Sequence, residues 1–347
     1  MIERPTFITD FSLAQTEDLM TSLGEPAYRA KALLRWVYQK RASSIYEMTD
    51  FPKVLRDKLA QKIHLSSVEE VETQEARDGT VKALLSLWEG RTIETAIMPS
   101  STGQYTVCVS SQVGCATGCP FCATGQQGYE RNLGVGEICD QVLYFARRLG
   151  DKGTISNVVF MGMGEPLANY LDVMSAVEHL NVPWGFGLGA RNITISTAGH
   201  VPGIEKLSKE KLQVGLAVSL HAADNSLRNK LVPLNRKYPL EKLIPACAAY
   251  IEATGRRMTF EYCLFEGVND SVVQARELAH LLRGLNCHVN LIAANKIGGC
   301  DWQPPKPDVV SAFENELKRL RTTVTLRKSF GRDISAGCGQ LKSRVMG

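Results

Sequence analysis

From residue 105 onward, short apolar runs rich in β-branched residues alternate with longer amphipathic stretches. That alternation constrains the fold more than any other feature of the chain. The apolar runs are YTVCVSS, ISNVVFM, NITIST, VGLAVSL, RMTFEYCL, HVNLIA and TVTLR. Helical patterns fall between them near 135–149, 168–180, 203–210, 241–254, 271–284 and 308–321. Parallel strands cannot be joined by a tight turn, so a strand–helix–strand rhythm builds a parallel sheet with crossover helices. Six or more such units predict an α/β fold, a full or partial (β/α) barrel, with a doubly wound sheet as the alternative.

The flanks read differently. Residues 1–75 are expected to be a helical accessory module. In YRAKALLRWVYQK, Ala30, Leu33, Leu34 and Val37 share one face, and Arg29, Lys31, Arg35, Lys40 and Arg41 cover much of the rest. A second helix is expected after Pro52, with Val54, Leu55 and Leu59 inward. Residues 76–104 change to a period of two and predict a β-hairpin linker region turning near Glu89–Gly90. Glu94 falls in mid-strand, where a carboxylate ordinarily faces solvent. Residues 105–300 form the expected core and 301–347 a C-terminal extension.

A chain of 347 residues with 44% hydrophobic content can bury a full-sized core. No apolar run approaches a membrane span, and the start MIERPTFITDF has no signal-like apolar stretch. A soluble cytoplasmic protein is expected, without membrane contact. Ten cysteines in such a protein argue against a disulfide framework. Cys139, Cys247, Cys263, Cys287 and Cys300 read as small buried hydrophobes. Net charge is only +4, but residues 316–347 carry eight basic side chains against two acidic ones, a local charge of +6. Either a solvated helix face or a phosphate-contacting surface fits that tail.

The unusual residues gather just after strand ends, where parallel barrels place their active sites. GCATGCPFCATG follows the first run and sets Cys115, Cys119 and Cys122 at C-x3-C-x2-C spacing. GMGEP follows the second run, Ser196 ends the third, SLH ends the fourth, and Asn295 follows VNLI. Structural zinc wants four ligands, ordinarily as two separated pairs, and Cys108 or Cys139 could complete such a set. A zinc-stabilised RNA-binding protein without catalysis is therefore one reading.

The other reading starts from resemblance. A three-cysteine loop at a barrel mouth resembles the radical S-adenosylmethionine (SAM) superfamily. There, three cysteines hold a [4Fe-4S] cluster and SAM chelates the fourth iron, and a Gly-Gly-Glu element similar to GMGEP binds the SAM amino group. The long segments CVSSQVGCATGCPFCATGQQG, FMGMGEPLANY, RNITISTAGHVPGI, SLHA, EYCLFEGVND and DISAGCGQL together resemble the RlmN/Cfr family of radical SAM RNA methyltransferases. YRAKALLRWVYQK matches that family's N-terminal module.

The resemblance implies methylation of adenosine 2503 in 23S rRNA, at C2 in one branch and C8 in the other. ATGQQG and Pro166 are similar to the C2 branch, some of whose members also modify adenosine 37 of tRNAs. It implies a [4Fe-4S] cluster on Cys115, Cys119 and Cys122, and two SAM molecules per turnover. Cys338 matches the methyl-accepting cysteine, Cys108 the resolving cysteine of a transient disulfide, and Glu94 the base for the C2 proton. Gly164, Glu165, Ser196, Ser219, Leu220, His221 and Asn295 match the SAM contacts. An electron donor such as flavodoxin or ferredoxin and a monomeric state are expected. The chain departs from the family in two places. It reads IAANK where I-P-x-N-P is common, which removes two φ-fixing prolines beside Asn295. Gly337 stands where alanine is frequent, a change expected to matter little.

Overall fold

The computed structural model describes residues 4–100 and 102–343. Expectations on Met1–Glu3, Ser101 and Arg344–Gly347 lie outside them, among them Arg344 of the basic tail.

Three helices open the chain: α1 (Leu13–Ser22), α2 (Arg29–Tyr38) and α3 (Lys53–Ala60). Ser12 and Gln15 form a reciprocal capping box at the start of α1. The expected face of α2 is fully buried. Val54 departs from expectation. It is 67% exposed while Leu55 and Leu59 pack inward, because residues four apart share a helix face and their neighbour does not.

The helical module ends earlier than expected, since residues 68–75 are strand β1 (Val68–Glu75). β1 pairs antiparallel with β2 (Val81–Leu87), which pairs with β3 (Thr92–Pro99) in the expected hairpin. The charged run VEEVETQE hides this edge strand from a periodicity reading; its exposed glutamates suit an edge that must not recruit further strands. The hairpin is no separate linker either, because β3 pairs with β4 (Gln104–Cys108), the first strand of the core.

The remaining elements follow in order: β5 (Gln112–Gly114), α4 (Ala123–Gln127), β6 (Tyr129–Asn132), α5 (Val135–Leu149), β7 (Thr154–Phe160), α6 (Tyr170–Asn181), β8 (Ile193–Thr197) and α7 (Val201–Leu207). After them come β9 (Gly215–Ser219), α8 (Asn225–Leu231), α9 (Leu240–Thr254), β10 (Met258–Leu264), α10 (Val272–Leu281), β11 (Cys287–Ala293), α11 (Pro307–Arg319) and β12 (Val324–Leu326). All seven expected core strands and all six expected helices are present. The small β5–β6 ribbon, α4 and α8 were not anticipated.

Ten strands form one sheet in the order β1-β2-β3-β4-β7-β8-β9-β10-β11-β12. From β4 to β12 every neighbour is parallel. Chain order equals spatial order, so the sheet winds in one direction as a partial barrel. A doubly wound sheet would reverse its strand order, and this one does not. β12 pairs with β11 through Val289 and Val324, so the core runs past the expected boundary at residue 300.

The N-terminal module is fastened to the back of the barrel through polar groups. Buried Asp140 of α5 accepts hydrogen bonds from Thr9 Oγ1 (3.0 Å) and from Ser67 N (2.7 Å) and Oγ (2.6 Å). Burial raises its pKa to about 6 despite those donors. Tyr38 bonds His179 Nδ1 at 3.1 Å, linking α2 to α6. Among the described residues, no helix is long and apolar enough to cross a membrane.

Candidate active site

The C-terminal ends of the parallel strands surround a cleft of about 990 Å³, counted with its open mouth. Cys115, Cys119 and Cys122 line it together. Their loop folds back on itself: Cys115 N donates to Gly128 O (2.7 Å) and Cys122 N to Cys119 O (3.1 Å). Gly114 takes φ 72°, and a Cβ there would lie 1.9 Å from Gly128 O, so the loop closes only with glycine. Burial pushes Cys115 up to about 11. Burial also raises Cys119, with Cys122 and Cys115 adding to the rise. Crowded thiols in a dry wall ionise readily only when a cation joins them.

The donor set fits an iron–sulfur cluster. Three thiols from one loop line one cleft, which is the donor chemistry such a cluster takes. Of the two cysteines that could complete a zinc set, Cys139 is buried in α5 with its thiol toward Ala176 O (3.8 Å), and Cys108 lines a neighbouring cavity that it shares with Cys122 but not with Cys115 or Cys119.

The expected SAM contacts surround the same cleft, with one exception. Gly164 has φ 103° and lets the GMGEP turn press on Ser111 and Gln112; a Cβ would lie 2.7 Å from each. Glu165 is held by donors from Ala198 N (2.7 Å) and Leu167 N (3.1 Å), and burial still raises it to about 7. Ser196, Ser219, His221 and Asn295 all line the cleft. Leu220 does not: its side chain belongs to the core, and its carbonyl accepts from Arg228 Nε. His221 stands at φ 59°, a conformation a non-glycine residue holds only when its surroundings enforce it. Its Nδ1 accepts from Cys263 N at 2.9 Å, and burial lowers its pKa to about 3. The ring is therefore neutral, with its proton on Nε2.

Cys338 joins two cavities. It lines the cysteine cleft, and it also lines a second cavity of about 720 Å³ that contains Cys108. Both cysteines are free thiols in this structure. Burial pushes Cys108 up to about 12. Cys338 is exposed at its surface, but the packing around its thiol in the cavity wall raises it in the same direction, and Arg327 opposes the rise at both. Arg327 is a site residue that the sequence reading put in the basic tail. It leaves the end of β12 and enters the wall shared by the two cavities, 3.6 Å from Glu261 and 3.7 Å from the Met161 sulfur. Glu261 was missed as well. Its signal was a charge inside the apolar run RMTFEYCL, and the β9–β10 register sets it opposite Ser219. Cys263, expected to be core filler, lines the cleft two residues further along.

Glu94 is buried, not solvent-facing. Its carboxylate pairs with Lys82 (3.1 Å) and accepts the Lys342 N–H (2.9 Å). Burial of mid-strand Glu94 follows from β3 lying between β2 and β4, with the C-terminal segment across it.

The loop without prolines is held by other means. Ala294 N bonds Leu264 O (3.1 Å), and Asn295 Nδ2 donates to Cys338 O (3.2 Å). A Cβ at Gly337 would lie 2.6 Å from Asn295 Nδ2 and 2.8 Å from Gln340 Oε1, so it would turn the ends of both side chains. The tail's charge is partly spent internally: Lys318 pairs with Glu314, Arg319 with Glu316, and Arg327 turns inward. Among the described residues this leaves Arg321, Lys328, Arg332 and Lys342 for any phosphate surface.

Residues 109–279 match the Radical SAM superfamily, and residues 7–65 match the ribosomal RNA large subunit methyltransferase N-terminal domain. A Staphylococcus carnosus protein described as a probable dual-specificity RNA methyltransferase RlmN is 46% identical over 332 residues, covering 95% of this chain and 91% of its own. A protein of the same description from Moorella thermoacetica is 48% identical over 334 residues, covering 94% of each chain. The chain belongs to the RlmN family. A crystal structure of a radical SAM methyltransferase from Sphaerobacter thermophilus has TM-score 0.94 and 47% identity, covering 97% of this chain and 99% of that one. As a radical SAM enzyme of the RlmN family, the chain uses a [4Fe-4S] cluster and SAM, for which Cys115, Cys119 and Cys122 and the polar rim are the fitting residues.

Proposed function

We propose that this enzyme methylates C2 of adenosine 2503 in 23S rRNA, and of adenosine 37 in tRNAs, through a methylated Cys338. The observation that carries the reading is the place of Cys338 at the meeting of two cavities, one with the three loop cysteines and the other with Cys108. SAM held against the Cys115–Cys119–Cys122 loop and the rim of Glu165, Ser196, Ser219, His221 and Asn295 would supply a methyl group and, from a second molecule, a hydrogen-abstracting adenosyl radical, two SAM per turnover.

Adenine C2 lies between two ring nitrogens and is a poor nucleophile, so direct methyl transfer to it fails. A thiolate is a good nucleophile. Cys338 Sγ takes the methyl, forming a C–S bond as the sulfonium C–S bond breaks. Loss of one hydrogen atom to the adenosyl radical leaves a methylene radical on Cys338 that adds to C2 and ties enzyme to RNA; the unpaired electron then on the ring leaves to a one-electron acceptor, a part the iron–sulfur cluster would play. Arg327 stands beside both thiols and favours their ionised forms. The C2 proton passes to a base, for which the resemblance offers Glu94. Cys108 then attacks Cys338 Sγ. A disulfide forms, the S–CH2 bond breaks, and its electron pair with a proton completes the methyl group. Asn295 and Gly337 set the distance between the SAM rim and the Cys338 backbone. The exposed bases of the target must be splayed from the RNA fold to reach the cleft. A flavodoxin or ferredoxin supplies electrons, and the enzyme acts as a cytoplasmic monomer.

The test is anaerobic incubation of reconstituted protein, SAM and reductant with unmodified 23S rRNA, followed by nucleoside mass spectrometry. 2-Methyladenosine supports the reading, and 8-methyladenosine overturns the choice of carbon. Absence of both with rRNA and with tRNA, while SAM is cleaved, refutes the substrate.

A further inference from the structure

The segment that carries Cys338 is strapped across the sheet from two sides. On one side the cluster-loop helix holds it: Ala123 N donates to Gly339 O (2.7 Å) and Thr124 Oγ1 to Leu341 O (2.6 Å). On the other side the β2–β3 hairpin and the turn before it hold it. Gly331 N donates to Asp78 Oδ2 (2.9 Å), and Arg77 N to Asp333 Oδ2 (3.1 Å). Lys82 Nζ reaches Ser335 O (3.4 Å), and Lys342 N donates to Glu94 Oε2 (2.9 Å). Lys82 and Glu94 also pair with each other at 3.1 Å, both almost wholly buried.

We propose that Lys82 and Glu94 form a clasp that positions Cys338, with Lys82 a positioning residue for methyl transfer to that thiol. The buried pair grips the strap at Ser335 and at Lys342, once on each side of Cys338. A charge pair buried at this depth is held in one geometry, because either charge without the other is severely penalised. It fixes the strap as two surface hydrogen bonds could not. The clasp also constrains Glu94, whose two carboxylate oxygens face Lys82 and the Lys342 amide.

The proposal rests on Cys338 as methyl acceptor, and it separates cleanly from a base role for Glu94. A base is needed only when RNA is bound. Methyl transfer from SAM to Cys338 needs neither RNA nor the base that takes the C2 proton, yet it needs the thiol in line with the methyl carbon. Loss of the clasp therefore slows the RNA-free step, whereas loss of a base leaves that step unchanged.

The experiment compares wild type, K82M, K82R and E94Q. Holoenzyme with SAM and no RNA is sampled for mass on the Cys338 peptide, and apoprotein is titrated with iodoacetamide at Cys338. Iron content and thermal melting are recorded for each. Expected are a 10- to 100-fold slower methylation in K82M, faster alkylation of its Cys338, and substantial rescue by K82R. E94Q, isosteric and still able to accept from Lys342 N, is expected to slow methylation less; it takes the place of K82M should that variant melt below assay temperature. Wild-type methylation and alkylation rates in K82M, or in E94Q in its place, overturn the clasp. If wild type itself leaves Cys338 unmethylated, the methyl-carrier reading fails, while the alkylation rates still judge the clasp.

Discussion

Arg228 offers the most demanding test of how the SAM rim is built. The side chain is completely buried in α8, and none of the oxygens it donates to belongs to a carboxylate. It donates instead to four oxygens: Leu220 O (3.1 Å), Asn235 Oδ1 (2.7 Å), Ala198 O (2.7 Å) and Ser219 O (3.1 Å). Three of these are carbonyls at the ends of β8 and β9, where the SAM contacts sit. A hydrogen bond to a charged group contributes roughly 1.5–3 kcal/mol, so four contribute roughly 6–12. Those values are already net of desolvation, which lowers the guanidinium pKa to about 10. Removing the guanidinium leaves buried acceptors without their donor at roughly 1–3 kcal/mol each, a loss of several kcal/mol. R228M should lose that much in urea unfolding of the apoprotein, a large share of the total for a domain of ordinary stability. It should also weaken SAM binding, since the carbonyls that shape the Ser219–His221 turn lose their donor. R228K keeps the charge without the planar fork and should fall between. A midpoint and SAM affinity equal to wild type in R228M would refute the assignment of Arg228 as the keystone of the rim.

Three further outcomes are expected. C108A should accumulate a covalent protein–RNA adduct visible on a denaturing gel, whereas C338A should give neither adduct nor methylated nucleoside; turnover by either variant refutes the two-cysteine mechanism. G337A should push Asn295 off Cys338 O and raise the KM for SAM about 10-fold, the loss of one well-placed hydrogen bond; an unchanged KM argues that Asn295 moves without cost. Asp140, raised from 3.8 to about 6 by burial, favours folding fully below pH ~4 and loses that contribution, about 3 kcal/mol, as pH rises through 6. D140N should flatten this slope in urea titrations at pH 5 and 8. The readout is variant minus wild type, because His179, lowered by burial, titrates with the opposite sign. Equal slopes in both proteins would count against Asp140.

What the sequence disclosed and what it withheld divide along the range of the interactions. The core strands and their helices follow from periodicity, which is local: a parallel strand buried on both faces needs a run of apolar residues, and VGLAVSL supplies one. The three-cysteine loop is local too. The edge strand β1 was read as helix because its pairing with β2, not its own pattern, makes it a strand. Glu94 was read as solvent-facing on propensity alone, because its partners Lys82 and Lys342 come from a neighbouring strand and from the far end of the chain. Arg327 counted toward a basic tail until β12 turned it into the wall between two cavities. Buried charge is where this kind of reading fails, since a charged residue is assigned to the surface until a distant partner is known. In this enzyme the distant partners share a purpose. Lys82, Glu94, Arg327, Glu261 and Arg228 are contributed by five different elements. Each fastens the Cys338 strap, the wall beside it or the rim that faces it. The proposed chemistry, passed between a cofactor, a cysteine and a base, needs those three held in register, and charges tied to fixed partners inside the fold are a stiff means of holding them.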